Sequence, residues 1–210
     1  MKGFPECVAL LGDVVRSRDS DRTRVHEALL KAIATCNKAH PPLDPLRVTV
    51  GDEIQGVYAT LGQAVAAMLM LRDELLGTAE VRCGLGGGDV HVIDAKRGIQ
   101  DGSAWWKARE AIERAEALSR QPGNRTSRTA LIDTRAVANP LTDPVLRMVD
   151  AALASLNPGA RRSWVHLRAG LDNATAAKLE GITPSANSQR INDHGLRPLA
   201  CLVETLVALP

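Results

Sequence analysis

"VTVGDEIQGVYA" (residues 48–59) sets two short runs of β-branched and small residues on either side of a glycine and two adjacent carboxylates. This pattern predicts a hairpin with Asp52 and Glu53 at its tip. Acids are common in turns for backbone reasons alone, so their meaning depends on what the chain places beside them. Upstream, "CVALLGDVV" (7–15) is an apolar run interrupted by Gly12 and Asp13, the pattern of a buried central strand. A carboxylate in such a strand is costly unless it is paired or bound. Between these two stretches, "SDRTRVHEALLKAIATCNKA" (20–39) repeats Val25, Leu29, Ile33 and Cys36 on one helical face, with cap candidates at 19–21. Downstream, "GQAVAAMLMLRDELLG" (62–77) predicts a second helix. "AEVRCGLGGGDVHVI" (79–93) predicts a strand opening into a glycine-rich turn and a further strand. "GSAWWKAREAIERAEALSR" (102–120) predicts a helix capped by Ser103, and "TALIDT" (129–134) a short last strand. The order β-α-β-β-α-β-(β)-α-β is that of an α/β (α+β) domain with a mixed sheet, of the ferredoxin-like kind.

The chain has 210 residues, of which 45% are hydrophobic and only 2% aromatic, so its core must be aliphatic. Its four cysteines are far apart and form no C-x-x-C pair, which argues against a disulfide framework or a zinc site and for a reducing, cytoplasmic setting. The N-terminal run meets charged residues before it can resemble a signal peptide. The longest apolar run, "AVAAMLML" (64–71), is too short to span a bilayer, so no membrane association is expected. Net charge is +2, and residues 140–210 carry 7 basic and 6 acidic groups. Bulk charge therefore does not announce nucleic acid, and any such claim must rest on a motif.

Four segments, "LLGDVVRSRD", "VGDEIQG", "RCGLGGGDV" and "GSAWWKAREAIE", taken in order, resemble the SatD family. They are also similar in order and spacing to the palm of class III nucleotidyl cyclases and GGDEF-type diguanylate cyclases. The resemblance implies a palm that holds Mg²⁺ or Mn²⁺ with a purine nucleotide or a cyclic (di)nucleotide. Asp13 and Asp52 match the two metal-binding aspartates, with the Val14 carbonyl beside them, and Arg109 matches the arginine that steadies the triphosphate. The nucleotide-contacting set so implied is Gly12, Ser17, Glu53, Gln55, Trp105, Lys107 and Arg109. An active enzyme would use Asp13, Asp52 and Arg109 catalytically. The chain departs from the cyclase pattern at Trp105, where an asparagine is expected, and has no clear purine-reading lysine ahead of the hairpin. That departure favours binding over turnover. From the residues alone, Arg109 could equally pair with Glu113 one turn on.

"VANPLTDP" (137–144) carries two prolines, and every later segment reads as helix, which places a boundary near 138. The expected division is a palm over 1–138 and a helical domain over 139–210. Within the latter, "DNATAAKLEGITPSANSQRINDHGL" (172–196) predicts a short helix, a glycine turn, and a helix starting at Thr183 with proline in its first turn. The stretch resembles the helix-turn-helix of many bacterial regulators, which implies double-stranded DNA as partner. Ala186 and Ile191 are expected to face inward. Thr183, Ser185, Asn187, Ser188, Gln189, Arg190 and Asn192 are the candidate DNA contacts, with Gln189 and Asn187 suited to adenine and Arg190 to guanine or phosphate. "PVLRMVDAALASL" (144–156) and "LACLVETLVAL" (199–209) could form a homodimer interface, although internal packing explains them as well. "SRQPGNRTSR" (119–128), with three arginines and no acid, could touch phosphates or simply be a solvated loop. Three functions are compatible with these features: a DNA-binding regulator with a nucleotide-sensing palm, an active metal-dependent cyclase with a DNA-binding tail, or a non-enzymatic adaptor.

Overall fold

The computed structural model describes residues 3–15, 21–49 and 51–210. Its described residues divide into two compact units, one spanning residues up to 147 together with 206–210, the other 148–205. The expected boundary at 138 falls in the irregular segment that precedes the first helix after the sheet.

The first unit is built on one mixed sheet. Its elements are β1 (Gly3–Val14), α1 (Arg22–Ala39), β2 (Asp44–Val48), β3 (Ile54–Tyr58), α2 (Leu61–Glu74), β4 (Val81–Asp94), β5 (Ile99–Asp101), α3 (Ser103–Ser119) and β6 (Thr129–Asp133). The strand order is β2-β3-β1-β4-β5, with β6 also paired to β4. The β1-β3, β1-β4 and β2-β3 ladders are antiparallel, so the first four strands form the ferredoxin-like arrangement expected from the element order. β4 is long enough to hold two partners end to end: parallel β6 over Cys83–Gly87 and antiparallel β5 over His91–Asp94.

Alternation along β1 sends Cys7, Ala9 and Leu11 to one face and Val8 and Leu10 to the other. The first face packs with Val57, Val90, Ala104, Ala108 and Ile112, under α3. Residues Val8 and Leu10 are fully buried on the face covered by α2. Asp21, as predicted, caps α1 by accepting from the Arg24 amide.

The glycine stretch corrects one expectation. Residues 84–88 do not turn but run straight through β4. Gly84, Gly86 and Gly88 share a face, and a Cβ on any of them would overlap α3 at Ala108, Ala104 or Ser103. The missing side chains let a helix faced with alanines lie flush on the strand. Gly87, on the opposite face, clears room for the buried Asp133–Arg135 ion pair, whose guanidinium also donates to the Pro210 carbonyl at 3.1 Å. Ser103 is likewise not the cap of α3. Gly102 holds that position, at φ 142, and the Ser103 hydroxyl accepts from the Asp89 amide at 2.9 Å.

After β6, α4 (Thr142–Ser155) begins in the first unit and ends in the second, followed by α5 (Pro158–Arg168), α6 (Asn173–Leu179), α7 (Pro184–Asp193) and α8 (Leu196–Val207). Three of these helices have side-chain caps. Asn157, Asp172 and Thr183 accept from the first-turn amides of α5, α6 and α7, and Pro158 and Pro184 occupy first-turn positions where no donor is needed. Gly181, at φ 64, makes the turn between α6 and α7. Trp164 and Ala177 are fully buried in this unit, with Ala176 and Ile191 nearly so. No helix among the described residues is long and apolar enough to cross a membrane.

Candidate functional site

The two sides of the sheet differ. α3 covers β4 and part of β1, and among the described residues no helix covers the neighbouring half of that side, over β3 and β2. The ladder registers place side chains on this open half. Leu11 pairs with Gln55, Gln55 with Arg47, and Asp13 with Arg82, and directly opposed residues share a face. A cavity of about 620 Å³ lies here, lined by Leu11, Gln55, Gln100, Trp105, Trp106 and Arg109 among others.

Asp13 sits near the end of β1. Its Oδ2 accepts from Arg82 Nη1 at 3.1 Å, whereas its Oδ1 is buried and has no hydrogen-bond partner among the described residues. Burial pushes the Asp13 carboxyl above the usual range. Arg82 opposes that, and the charges of Glu116, Asp52 and Glu53 add to it. The charges of the hairpin acids are thus felt at Asp13, at one end of the open face. Glu53 is ion-paired with Arg109 of α3, and its carbonyl accepts from the Thr49 amide at 2.8 Å. The partner of Arg109 is therefore Glu53, across the sheet, and not Glu113 on its own helix.

Trp105 packs half-buried against the core under α3 and donates its indole N–H to Gln100 Oε1 at 3.2 Å. Its neighbour Trp106 is 65% exposed and donates to Asp101 Oδ1 at 2.9 Å. Gly12 is buried in the β1 ladder between Ile54 and Cys83. Val14 pairs with Val81, and Lys107 is half-buried on α3. Ser17 lies outside the described residues. Among the described residues no group of three or more His, Cys, Asp or Glu side chains is arranged to hold a metal ion.

Arg82 and Glu116, which set the charge balance at Asp13, were not singled out from the sequence. A signal existed: "VRC" puts a charge into a buried strand just as "LGDVV" does, and two opposite charges in two central strands invite pairing.

In the second unit, α6, the turn at Glu180–Thr183, and α7 form a helix-turn-helix. Ser185, Gln189 and Asn192 are exposed on α7, Ser188 is half-exposed, and Thr183 is used as the cap. Asn187 corrects the expectation that it points outward. It is 1% exposed, accepts from the Ser163 hydroxyl at 2.7 Å and donates to Asn173 Oδ1 at 2.9 Å. Ala186, expected inward, is only half-buried. Arg190 lies 3.5 Å from Glu180, and its guanidinium occupies the space beside Gly159. Glu180 is the hub of this turn: its carboxylate is also 2.7 Å from Arg162 Nε and 3.2 Å from His166 Nε2.

A comparison with curated proteins gave no match. Among solved structures, the catalytic core of a rhodopsin-guanylyl cyclase with converted specificity, in complex with ATPalphaS, is 18% identical. The match covers 51% of this chain and 72% of that one, with a TM-score of 0.41. A bacterial light-regulated adenylyl cyclase is 17% identical over 58% of this chain and 73% of its own, with a TM-score of 0.40. The monomeric guanylyl cyclase domain of the RhoGC fusion protein from the aquatic fungus Blastocladiella emersonii is 16% identical over 51% and 75%, with a TM-score of 0.35. Likenesses this distant fix no activity for the chain. The family does not depend on them: residues 7–126, from within the central strand β1 to past α3, match the SatD family, and the chain belongs to it.

Proposed function

We propose that the open half of the sheet binds a purine nucleotide with Mg²⁺ or Mn²⁺, and that the helical unit binds duplex DNA, so that the protein is a nucleotide-responsive transcriptional regulator. The observation that carries this reading is Asp13 Oδ1, a buried carboxylate oxygen with no hydrogen-bond partner among the described residues, on a carboxyl that feels the charges of Asp52 and Glu53. Such an arrangement is unfavourable until a cation arrives. Asp13 and Asp52, with the main chain at Val14, would hold that cation, which would neutralise the phosphates of a bound nucleotide. Gln55 and the face of Trp106, which line the sheet-face cavity, would meet the rest of the ligand, and Arg109 would exchange Glu53 for a phosphate. The Trp105 indole, packed against the core and bonded to Gln100, is poorly suited to the role of a ribose-binding amide, which favours binding without turnover. On α7, Ser185, Ser188, Gln189 and Asn192 are the side chains left to read base edges or phosphates.

The test is a thermal-shift series on the full chain with ATP, GTP and cyclic dinucleotides, with and without Mn²⁺. Melting should rise only when nucleotide and metal are both present, and Asp13→Asn should abolish the rise with no pyrophosphate released by the wild type. A rise that the variant retains would remove the nucleotide reading, and pyrophosphate release would establish an enzyme instead. Salt-dependent retention on duplex DNA, weakened by Gln189→Ala and altered by nucleotide, is the expectation for the second unit.

A further inference from the structure

A second and larger recess lies where β1 ends, β4 begins and α3 gives way to the loop before β6. Its volume is about 980 Å³, and among the described residues its lining includes Arg82, Arg120, Arg125 and Arg128 against two acids, Glu80 and Glu116. Two of the arginines, Arg82 and Arg128, are largely buried and held in place, and a third, Arg120, is paired at the surface. Arg82 is only 12% exposed and bridges Asp13 and Glu116, at 3.1 and 3.5 Å. Arg120 lies 2.7 Å from Glu116. Arg128 is 2.8 Å from Glu80 and donates to the Arg125 and Ser127 carbonyls at 2.9 and 2.8 Å. Arg125 is exposed and makes no ion pair among the described residues, and Arg82 Nε is buried without a hydrogen-bond partner among them.

Four guanidiniums drawn into one concavity repel one another, and the three carboxylates paired with them, Asp13, Glu80 and Glu116, leave one positive charge over. Guanidinium groups recognise phosphate oxygens in bidentate fashion, and fixing them beforehand lowers the ordering cost of binding. The geometry points to a site for an oligophosphate anion in this recess, separate from the sheet-face cavity. A recess of this volume accommodates a small ligand. A duplex backbone would instead need a protruding or grooved basic stripe, and Glu80 and Glu116 interrupt one here. The site shares Arg82 with Asp13, so an anion that takes this guanidinium leaves the carboxylates at the hairpin with less compensation.

The assignment does not depend on the nucleotide reading, and its test uses neither metal nor Asp13. Inorganic tripolyphosphate is titrated into the full chain by calorimetry in the presence of a chelator. Binding should appear, weaken with added salt, and exceed orthophosphate binding by at least about tenfold. Arg120→Gln and Arg125→Gln, both solvent-facing, should each weaken it about tenfold. Arg97→Gln, in the β4–β5 turn, should leave it unchanged. ATP binding as tightly as tripolyphosphate would identify phosphate-chain recognition. ATP binding more tightly, with Arg125→Gln weakening both alike, would identify the tail of a nucleotide. Either result upholds the site. Absence of tripolyphosphate binding, or binding that neither arginine variant weakens, would overturn it. So would an Arg125→Gln defect seen only with a DNA duplex against which tripolyphosphate does not compete.

Discussion

Asp13, with one buried carboxylate oxygen on a side chain 37% exposed, and Glu180 are treated in opposite ways by the two units. Glu180, 5% exposed at its side chain, has Arg162, His166 and Arg190 around it. Burial alone would push its carboxyl up, but the hydrogen bonds and charges of Arg162 and His166 outweigh that and hold it below the usual range. Asp13 has Arg82 on one oxygen, nothing among the described residues on the other, and acids nearby, and it is held above the usual range. One carboxylate completes its surroundings and the other is left incomplete by them. On the function proposed above, the contrast separates a structural charge from one available to a ligand.

The most damaging way to probe this contrast is at Glu180. Glu180→Gln removes the charge shared by two arginines and a histidine. Breaking a fully buried pair costs about 3–5 kcal/mol, and because Arg162 is half exposed we expect about 2–3 kcal/mol here. Hydrogen exchange should report it as faster exchange of the α6 and α7 amides. Protection equal to wild type would mean that the turn is held by its caps and glycine alone. A smaller loss, about 1–2 kcal/mol, is expected from Asn187→Ala, which strands the Ser163 hydroxyl and the Asn173 amide. This variant also divides the candidate DNA contacts. Any weakening of DNA retention by Asn187→Ala should follow the fraction unfolded, whereas Gln189→Ala should weaken retention with stability unchanged.

Asn187 also shows where sequence reading stops. Residues 187 and 191 are four apart and share a helix face, so the inward position of Ile191 already implied that of Asn187. The rule that polar residues face out chose Ala186 instead. The partners that make burial of an amide tolerable, Ser163 and Asn173, lie 24 and 14 residues away and become visible only after folding. The element order of the palm was legible because helical and strand periodicities alternate cleanly along it. The glycine strand was not, since "GLGGG" reads as a turn until α3 is seen to need its bare surface. At the candidate site, Asp13 could be singled out as a charge in an apolar strand. Its pairing with Arg82 depends on the β1–β4 register, which alternation alone does not determine.

The smallest expected effect has the opposite sign and is the sharpest test of the contrast. A carboxyl held above its ordinary value is one whose charged form the folded state disfavours relative to water. In the absence of metal, Asp13→Asn should therefore raise Tm at neutral pH, by about 1–2 °C, while the amide oxygen still accepts from Arg82. The contribution of Asp13 to stability is fully present below its unfolded pKa and is lost as pH rises through the higher folded one. The advantage of the variant should accordingly shrink as pH falls into the carboxylate range and Asp13 takes up its proton. Glu180 runs the other way: its contribution is present above the unfolded pKa and is lost as pH falls through the lower folded one, so Glu180→Gln should approach wild-type stability only in acid. Adding Mn²⁺ at neutral pH should erase the Asp13→Asn advantage, because the cation stabilises only the chain that keeps the carboxylate. A destabilised Asp13→Asn protein would instead show that the bridge to Arg82 outweighs the repulsion, and the two carboxylates would then be alike.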